Sequence, residues 1–182
     1  MKVANKSSQI SLFTSTHLTP EERIKFGSFF TPQKLVNRVY ELVRPYIKRL
    51  GREVVVLDSA AGFGAFLFNL SGADYRAKDF DSTAYNFLKG ILSPDKILFG
   101  NSLQNVHRSS FNITQDAKLI VVGNPPYNDV TSEFKNGEKG ENLCDKDLFD
   151  RDLGISFLKS YDKLNADIVC VLHPLSFLIK EA

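Results

Sequence analysis

The sequence predicts an α/β protein built on an open, mostly parallel sheet with helices on both faces, and three observations carry this. Short apolar runs at residues 54–57, 97–99, 119–122 and 168–172, with a further strand expected around 75–80, alternate with segments of helical periodicity. The run Val54-Val55-Val56-Leu57 is apolar at every position, as a strand covered on both faces must be. Asp58, Asp79, Asn101 and Asn124 each stand just beyond a predicted strand, and ligands on open α/β sheets bind at the carboxyl ends of the strands.

The 182 residues, 43% hydrophobic and 24% charged, are enough for one well-buried domain over residues 26–182, with an irregular or helical lead-in over residues 1–25. A net charge of +2 is too small to argue for a nucleic-acid partner, so any such partner must be argued from a site. Cys144 and Cys170 have no metal-ligand or disulfide-scaffold spacing, which fits a reducing compartment. The polar first residues lack a signal-peptide core and no apolar run is long enough to span a bilayer, so a soluble cytoplasmic protein without a membrane partner is expected.

The elements follow in order. Thr19-Pro20-Glu21-Glu22 starts a short helix by cap, first-turn proline and capping-box glutamate, with a turn at residues 26–30. Thr31-Pro32 repeats the signal, and Leu35, Val36, Val39, Tyr40, Leu42, Val43, Tyr46 and Ile47 recur at helical spacing towards Leu50, with Pro45 expected to kink or shorten the helix. The first strand ends at Asp58 in a glycine-containing turn. Residues 65–70 are helix-like, 82–91 helical, and Pro94 breaks the chain. Residues 105–118 are polar and give no clear pattern, while 128–146, with Gly137, Gly140 and mixed charges, read as a mobile loop. Residues 147–164 form an amphipathic helix through Leu148, Phe149, Leu153, Phe157, Leu158, Tyr161 and Leu164. After a last strand, His173-Pro174 leads into what reads as a further helix.

Two groups of residues carry chemistry. In Asp58-Ser59-Ala60-Ala61-Gly62-Phe63-Gly64 the glycines let the backbone turn sharply and approach a ligand. A dinucleotide fingerprint would want a small residue at position 67, which is Leu, so a nicotinamide cofactor is disfavoured. Asp79 and Asp81 follow the next strand, where a carboxylate can accept from ribose hydroxyls, although Asp81 is equally placed to cap the following helix. The second group is Asn124-Pro125-Pro126-Tyr127, directly after an apolar strand. Its two prolines fix their φ angles and hold the neighbouring acceptors rigidly. His17, His107 and His173 are scattered without metal or nucleophile–base spacing and are expected to be structural or exposed. The charges over residues 133–146 read as a solvated loop.

Residues 58–67 resemble the cofactor motif of class I S-adenosylmethionine-dependent methyltransferases, and the chain from about residue 26 to 180 resembles the catalytic portion of restriction-modification DNA adenine-N6 methyltransferases. The resemblance implies a Rossmann-like domain that binds S-adenosyl-L-methionine through Asp58, Ala60, Gly62 and Gly64. Asp79 would take the ribose, and Asn101 and Ser102 the adenine, between Phe80 and Leu103. Phe30, Thr31 and Pro32 would meet the methionine moiety, and Asn124 would also face the cofactor. Many relatives carry Asp at the Asn101 position, so that contact departs from the family pattern; for Thr31-Pro32 a plain helix start is the rival reading.

The resemblance further implies that Asn124, Pro125 and Tyr127 are catalytic. An exocyclic amine donates its lone pair into the ring and is a poor nucleophile. The Asn124 side-chain oxygen and the Pro125 carbonyl would accept its hydrogens and restore the lone pair, while Tyr127 stacks on the base. A base in double-stranded DNA would have to be flipped out to reach them. Asn at the first position implies adenine rather than cytosine. The same tetrapeptide occurs in enzymes that methylate glutamine in release factors and resembles motifs in RNA methyltransferases, and these remain the competing substrates. Relatives continue into more sheet and a target-recognition domain. A truncated chain is therefore expected, with a separate chain supplying DNA recognition, or else a cofactor-binding remnant inactive by itself.

Overall fold

The computed structural model describes residues 31–51, 53–67, 73–127 and 144–175. The lead-in with its expected helix, Phe30, the second half of the helix-like stretch at 65–70 (its first half, 65–67, is in turns), the bulk of the 128–146 loop and the helix expected after Pro174 lie outside the described residues.

Among the described residues, helices and strands follow in the order α1 (Gln33–Leu50), β1 (Val54–Asp58), β2 (Asp74–Asp79), α2 (Ser82–Ile91), β3 (Ile97–Phe99), β4 (Lys118–Gly123), α3 (Leu153–Lys163) and β5 (Ile168–Val171). The five strands form one sheet in the order β3-β2-β1-β4-β5, every pairing parallel. This is the Rossmann-like α/β architecture expected from the sequence. The strand order reverses between β1 and β4, and the crevice at that switch point is where such sheets hold ligands.

All five residues of β1 are buried, and the strand's alternation distributes them to two cores. Val54 and Val56, with Ile120 and Val122 of β4, pack under Val36, Val39, Tyr40, Val43 and Ile47 of α1. Val55 and Leu57, with Leu119 and Val121, pack against Phe157, Tyr161 and Leu164 on the opposite face. Leu88 of α2 meets Ala77 and Ile97. No helix among the described residues is long and apolar enough to cross a membrane.

Several expectations are corrected. Helix α1 starts one residue later than the Thr-Pro signal places it: Pro32 is the cap position and no side chain caps the helix. Pro45 neither ends nor shortens it, because the proline lies on the exposed side, where water satisfies the carbonyl that loses its partner. Leu35, Leu42 and Tyr46 belong to the apolar periodicity but remain exposed.

Helix α3 begins at Leu153, not at residue 147. Aspartates hold the preceding segment in turns by capturing backbone donors, as short polar side chains do in competition with helix. Asp145 accepts from Asn105 N (2.9 Å) and Val106 N (3.0 Å), Asp150 from Asp152 N (3.2 Å), and Asp152 caps α3 at Gly154 N (2.9 Å). Leu148 reaches the core from these turns. The polar stretch at 105–118 contains a short 3-10 turn, Arg108–Phe111, capped by His107, whose Nδ1 accepts from Ser110 N.

Candidate active site at the carboxyl edge of the sheet

The carboxyl ends of β1, β2 and β4 converge. From Asp58 the chain enters a sequence of tight turns through residue 67, with Gly62 at φ +49° and Gly64 at φ +81°, a region in which a side chain is strained. Each turn is tied to a neighbour. Ala61 N donates to Lys78 O (3.2 Å), Gly62 N to Asp79 Oδ2 (2.7 Å) and Gly64 N to Ala61 O (2.8 Å). From above, Tyr40 of α1 donates its hydroxyl to Phe66 O. Ser59 and Tyr161 of α3 share a hydrogen bond between their hydroxyls at 3.0 Å. The glycine turn is thereby fixed by elements from both faces of the sheet.

Asp79 does more than the sequence reading assigned to it. Besides Gly62 N it accepts Asp81 N at Oδ1 (2.9 Å), so its carboxylate organises the turns after both β1 and β2. A carboxylate has about four acceptor positions, which leaves it capacity for a ligand's hydroxyls. Asp81 follows the capping reading: its Oδ1 accepts Thr83 N at 2.8 Å at the start of α2.

Asp58 is enclosed, 1% exposed, with Ala60 N as a donor at 3.2 Å. Burial pushes its carboxyl up to about 7; the Ala60 N–H opposes this and the nearby Asp79 charge adds to it. Asp79 is also raised by burial, against the pull of its backbone donors. The Asp58 carboxyl lies against the backbone of Gly123, where a β-carbon would meet Oδ1 at 2.8 Å. Gly123 thus brings the last residue of β4, and Asn124 behind it, directly against the acid that ends β1.

Beyond β3, Gly100 N donates to Asp79 O (2.9 Å), which draws Asn101 towards the end of β2. Asn101 Oδ1 accepts Leu103 N at 2.8 Å and shapes that turn itself. Ser102 is buried, and its hydroxyl has no hydrogen-bond partner among the described residues. Leu103 is in the core, whereas Phe80 is 55% exposed at the end of β2. Thr31 is buried and Pro32 exposed at the start of α1. Phe30 is outside the described residues.

Asn124-Pro125-Pro126-Tyr127 leaves β4 without regular secondary structure, with Pro125 buried and the other three half-buried. Leu172 N donates to Gly123 O at 2.9 Å, so the exit of β5 runs alongside this segment. The His173 ring consequently lies near the Tyr127 ring, their centroids 6.2 Å apart and the planes inclined by 40°. This histidine was passed over as scattered. The signal available was its place immediately after a strand, the same position that singled out Asp58 and Asn124.

No protein-family model matches this sequence, and no curated protein does. Among solved structures, the fold is similar to that of a chain from Vibrio vulnificus YJ016 described as the modification subunit of a type I restriction enzyme, with a TM-score of 0.54 and 18% identity. The similarity covers 90% of this chain and 36% of that subunit.

Proposed function

We propose that this chain is the S-adenosylmethionine-binding, catalytic portion of a DNA adenine-N6 methyltransferase of restriction-modification type. The observation that carries the reading is that Asn124-Pro125-Pro126-Tyr127 directly follows Gly123, which lies against the buried Asp58 at the switch-point end of β4, the strand next to the one that leads into the Gly62–Gly64 turns. The fold similarity to a modification subunit supports the coarser part of this reading, a methyltransferase of restriction-modification type, and does not bear on adenine.

The residues present fit the cofactor. The buried Asp58 carboxyl, the half-buried Asp79 carboxyl and a buried Ser102 hydroxyl without a partner among the described residues, at neighbouring strand ends, suit a ligand carrying positive charge, hydroxyls and a polar ring. Asp58, Ala60, Gly62 and Gly64 would hold the amino-acid end, together with Phe30, Thr31 and Pro32. Asp79 would hold the ribose, and Phe80, Asn101 and Ser102 the adenine. Thr31 is buried and does not cap α1, although Thr31-Pro32 still stands at the start of that helix. When bound, the cofactor supplies a methyl group on a sulfonium centre.

The protein's own contribution is to the acceptor. Asn124 Oδ1 and the Pro125 carbonyl accept the hydrogens of the adenine amine, turn its lone pair out of the ring and stabilise the positive charge that develops on nitrogen. Neither proline has an N–H to compete for these acceptors, and their fixed φ angles keep the pair from relaxing. Tyr127 offers a stacking face to the extruded base, worth roughly 1–3 kcal/mol. Asn124→Ala should lower methyl transfer by roughly 10²–10³-fold, the scale for losing one preorganised hydrogen-bonding group, while calorimetric cofactor binding is retained.

The substrate is tested by offering DNA, RNA and release factor in parallel and identifying the methylated product. N6-methyladenine in DNA is expected, and modified glutamine or guanine would overturn the reading. Because the chain spans about a third of the modification subunit it resembles, a second reading is a cofactor-binding subunit that acts only with a chain supplying DNA recognition. Cofactor binding without transfer, with transfer restored by such a chain, distinguishes it.

A further inference from the structure

Resting on that methyltransferase reading, we propose that His173 is a positioning residue of the acceptor pocket, holding the Tyr127 ring in the orientation in which it stacks on the extruded base. Three observations converge on this side chain. Its ring lies 6.2 Å from that of Tyr127, within the range of interacting aromatic pairs. Its backbone is set by the Leu172 N to Gly123 O hydrogen bond, which locks the exit of β5 to the residue preceding Asn124. On its other side the first turn of α3 makes room for it: a β-carbon on Gly154 would meet His173 Nε2 at 2.5 Å and Cε1 at 2.7 Å.

Gly154 is conspicuous for another reason. Glycine in the first turn of a helix is a poor helix former, and alanine there would strengthen α3 by roughly 0.5–1 kcal/mol if the space were open. The space is not open. The Asp152 carboxylate, which caps the helix at Gly154 N, crowds the same β-carbon position at 3.1 Å. The absent side chain is therefore what lets the imidazole sit between the start of α3 and Tyr127. Tyr127 follows two prolines at the end of β4, which constrain its backbone on the strand side, and the imidazole supplies a constraint on the ring.

A role exercised through Tyr127 predicts a specific non-additivity. In the full 182-residue chain, kcat and KM for methyl transfer to mixed-sequence DNA are measured for His173→Ala, Tyr127→Ala and the double variant, with S-adenosylhomocysteine binding followed by calorimetry. His173→Ala should raise KM for DNA by roughly 2- to 12-fold, the equilibrium equivalent of one aromatic pair, with kcat and S-adenosylhomocysteine affinity changed less than about two-fold. In the Tyr127→Ala background the same substitution should change nothing further, because residues acting as a unit are not additive. Gly154→Ala, which displaces the imidazole without altering it, should reproduce the His173→Ala phenotype, and His173→Phe should restore KM. Additive effects of His173→Ala and Tyr127→Ala, or a Gly154→Ala protein with wild-type KM, would overturn the proposal while leaving the methyltransferase reading standing. A wild-type chain that binds no S-adenosylhomocysteine would bring down both.

Discussion

At the scale of single residues, the site depends on one carboxyl and one missing β-carbon. Asp58 ends β1 inside the sheet edge, and Gly123 allows β4 to finish in contact with it. Gly123→Ala would place a methyl group 2.8 Å from a buried oxygen with no room to yield, so we expect a loss of about 1–3 kcal/mol in denaturant unfolding, typical of overpacking, together with weakened cofactor binding. Asp58 also sets a pH dependence. Its carboxyl is raised to about 7, so below that value it is neutral and offers no charge to a cationic ligand. Cofactor affinity measured by calorimetry should therefore rise as pH increases from 6 to 8, and Asp58→Asn should flatten the profile at its low-affinity end. The position of Asp58 after a strand was legible in the sequence. Its enclosure against Gly123 was not, because the two residues are brought together only by the pairing of β1 with β4.

At the scale of elements, the stretch that gave no sequence pattern proves to be a clamp at the opposite edge of the sheet. Arg108, buried in the short 3-10 turn, donates to five carbonyls: Leu164 O (2.9 Å), Thr114 O (3.3 Å), Gln115 O (3.0 Å), Ala117 O (2.6 Å) and Asn165 O (2.8 Å). One planar guanidinium thus joins the approach to β4 with the turn between α3 and β5. Arg108→Met would leave several buried carbonyls without a donor, and we expect a loss of about 3 kcal/mol, seen as a fall in Tm of roughly 6–12 °C. Arg108→Lys should recover little, since an ammonium cannot reach a fan of carbonyls from one plane. No periodicity announces such a residue, because its partners are main-chain atoms contributed by two separate segments, 114–117 and 164–165. Strands and α2, by contrast, were legible from local pattern and from the Asp81 cap. Helix α3 was misplaced at its start because Leu148 and Phe149 extend its apolar spacing into a segment whose aspartates hold it in turns.

At the scale of the whole molecule, the ionisable groups divide by location. Away from the candidate site, Asp74 is held down to about 2 by Lys96 and Arg76, which outweigh its partial burial, and Asp145, Asp150 and Asp167 are also lowered by their donors. A lowered carboxyl stabilises the fold above its unfolded value, and that contribution is lost as pH falls from roughly 4 towards 2. Asp58 and Asp79 have the opposite sign. Between an unfolded value of roughly 4 and a folded value of about 7, the native state retains the Asp58 proton that the unfolded chain releases, so stability declines as pH rises through that window. Urea unfolding from pH 4 to 7.5 should show the decline in the wild type and a shallower one in Asp58→Asn. On the proposed reading, the raised Asp58 and Asp79 are what a site that receives positive charge costs the fold.

The sequence by itself determined the α/β class, the order of strands and α2, and the residues at the strand ends. Burial on both faces writes an unbroken apolar run, and each run stops where the chain must turn. Tertiary structure alone decided that Asp79 braces two turns, that Asp58 lies against Gly123, that Arg108 gathers carbonyls from distant segments, and that His173 meets Tyr127 over Gly154. Each of these joins residues on different strands or loops, and parallel pairing across crossovers sets such neighbours by register in space, which no spacing along the chain encodes.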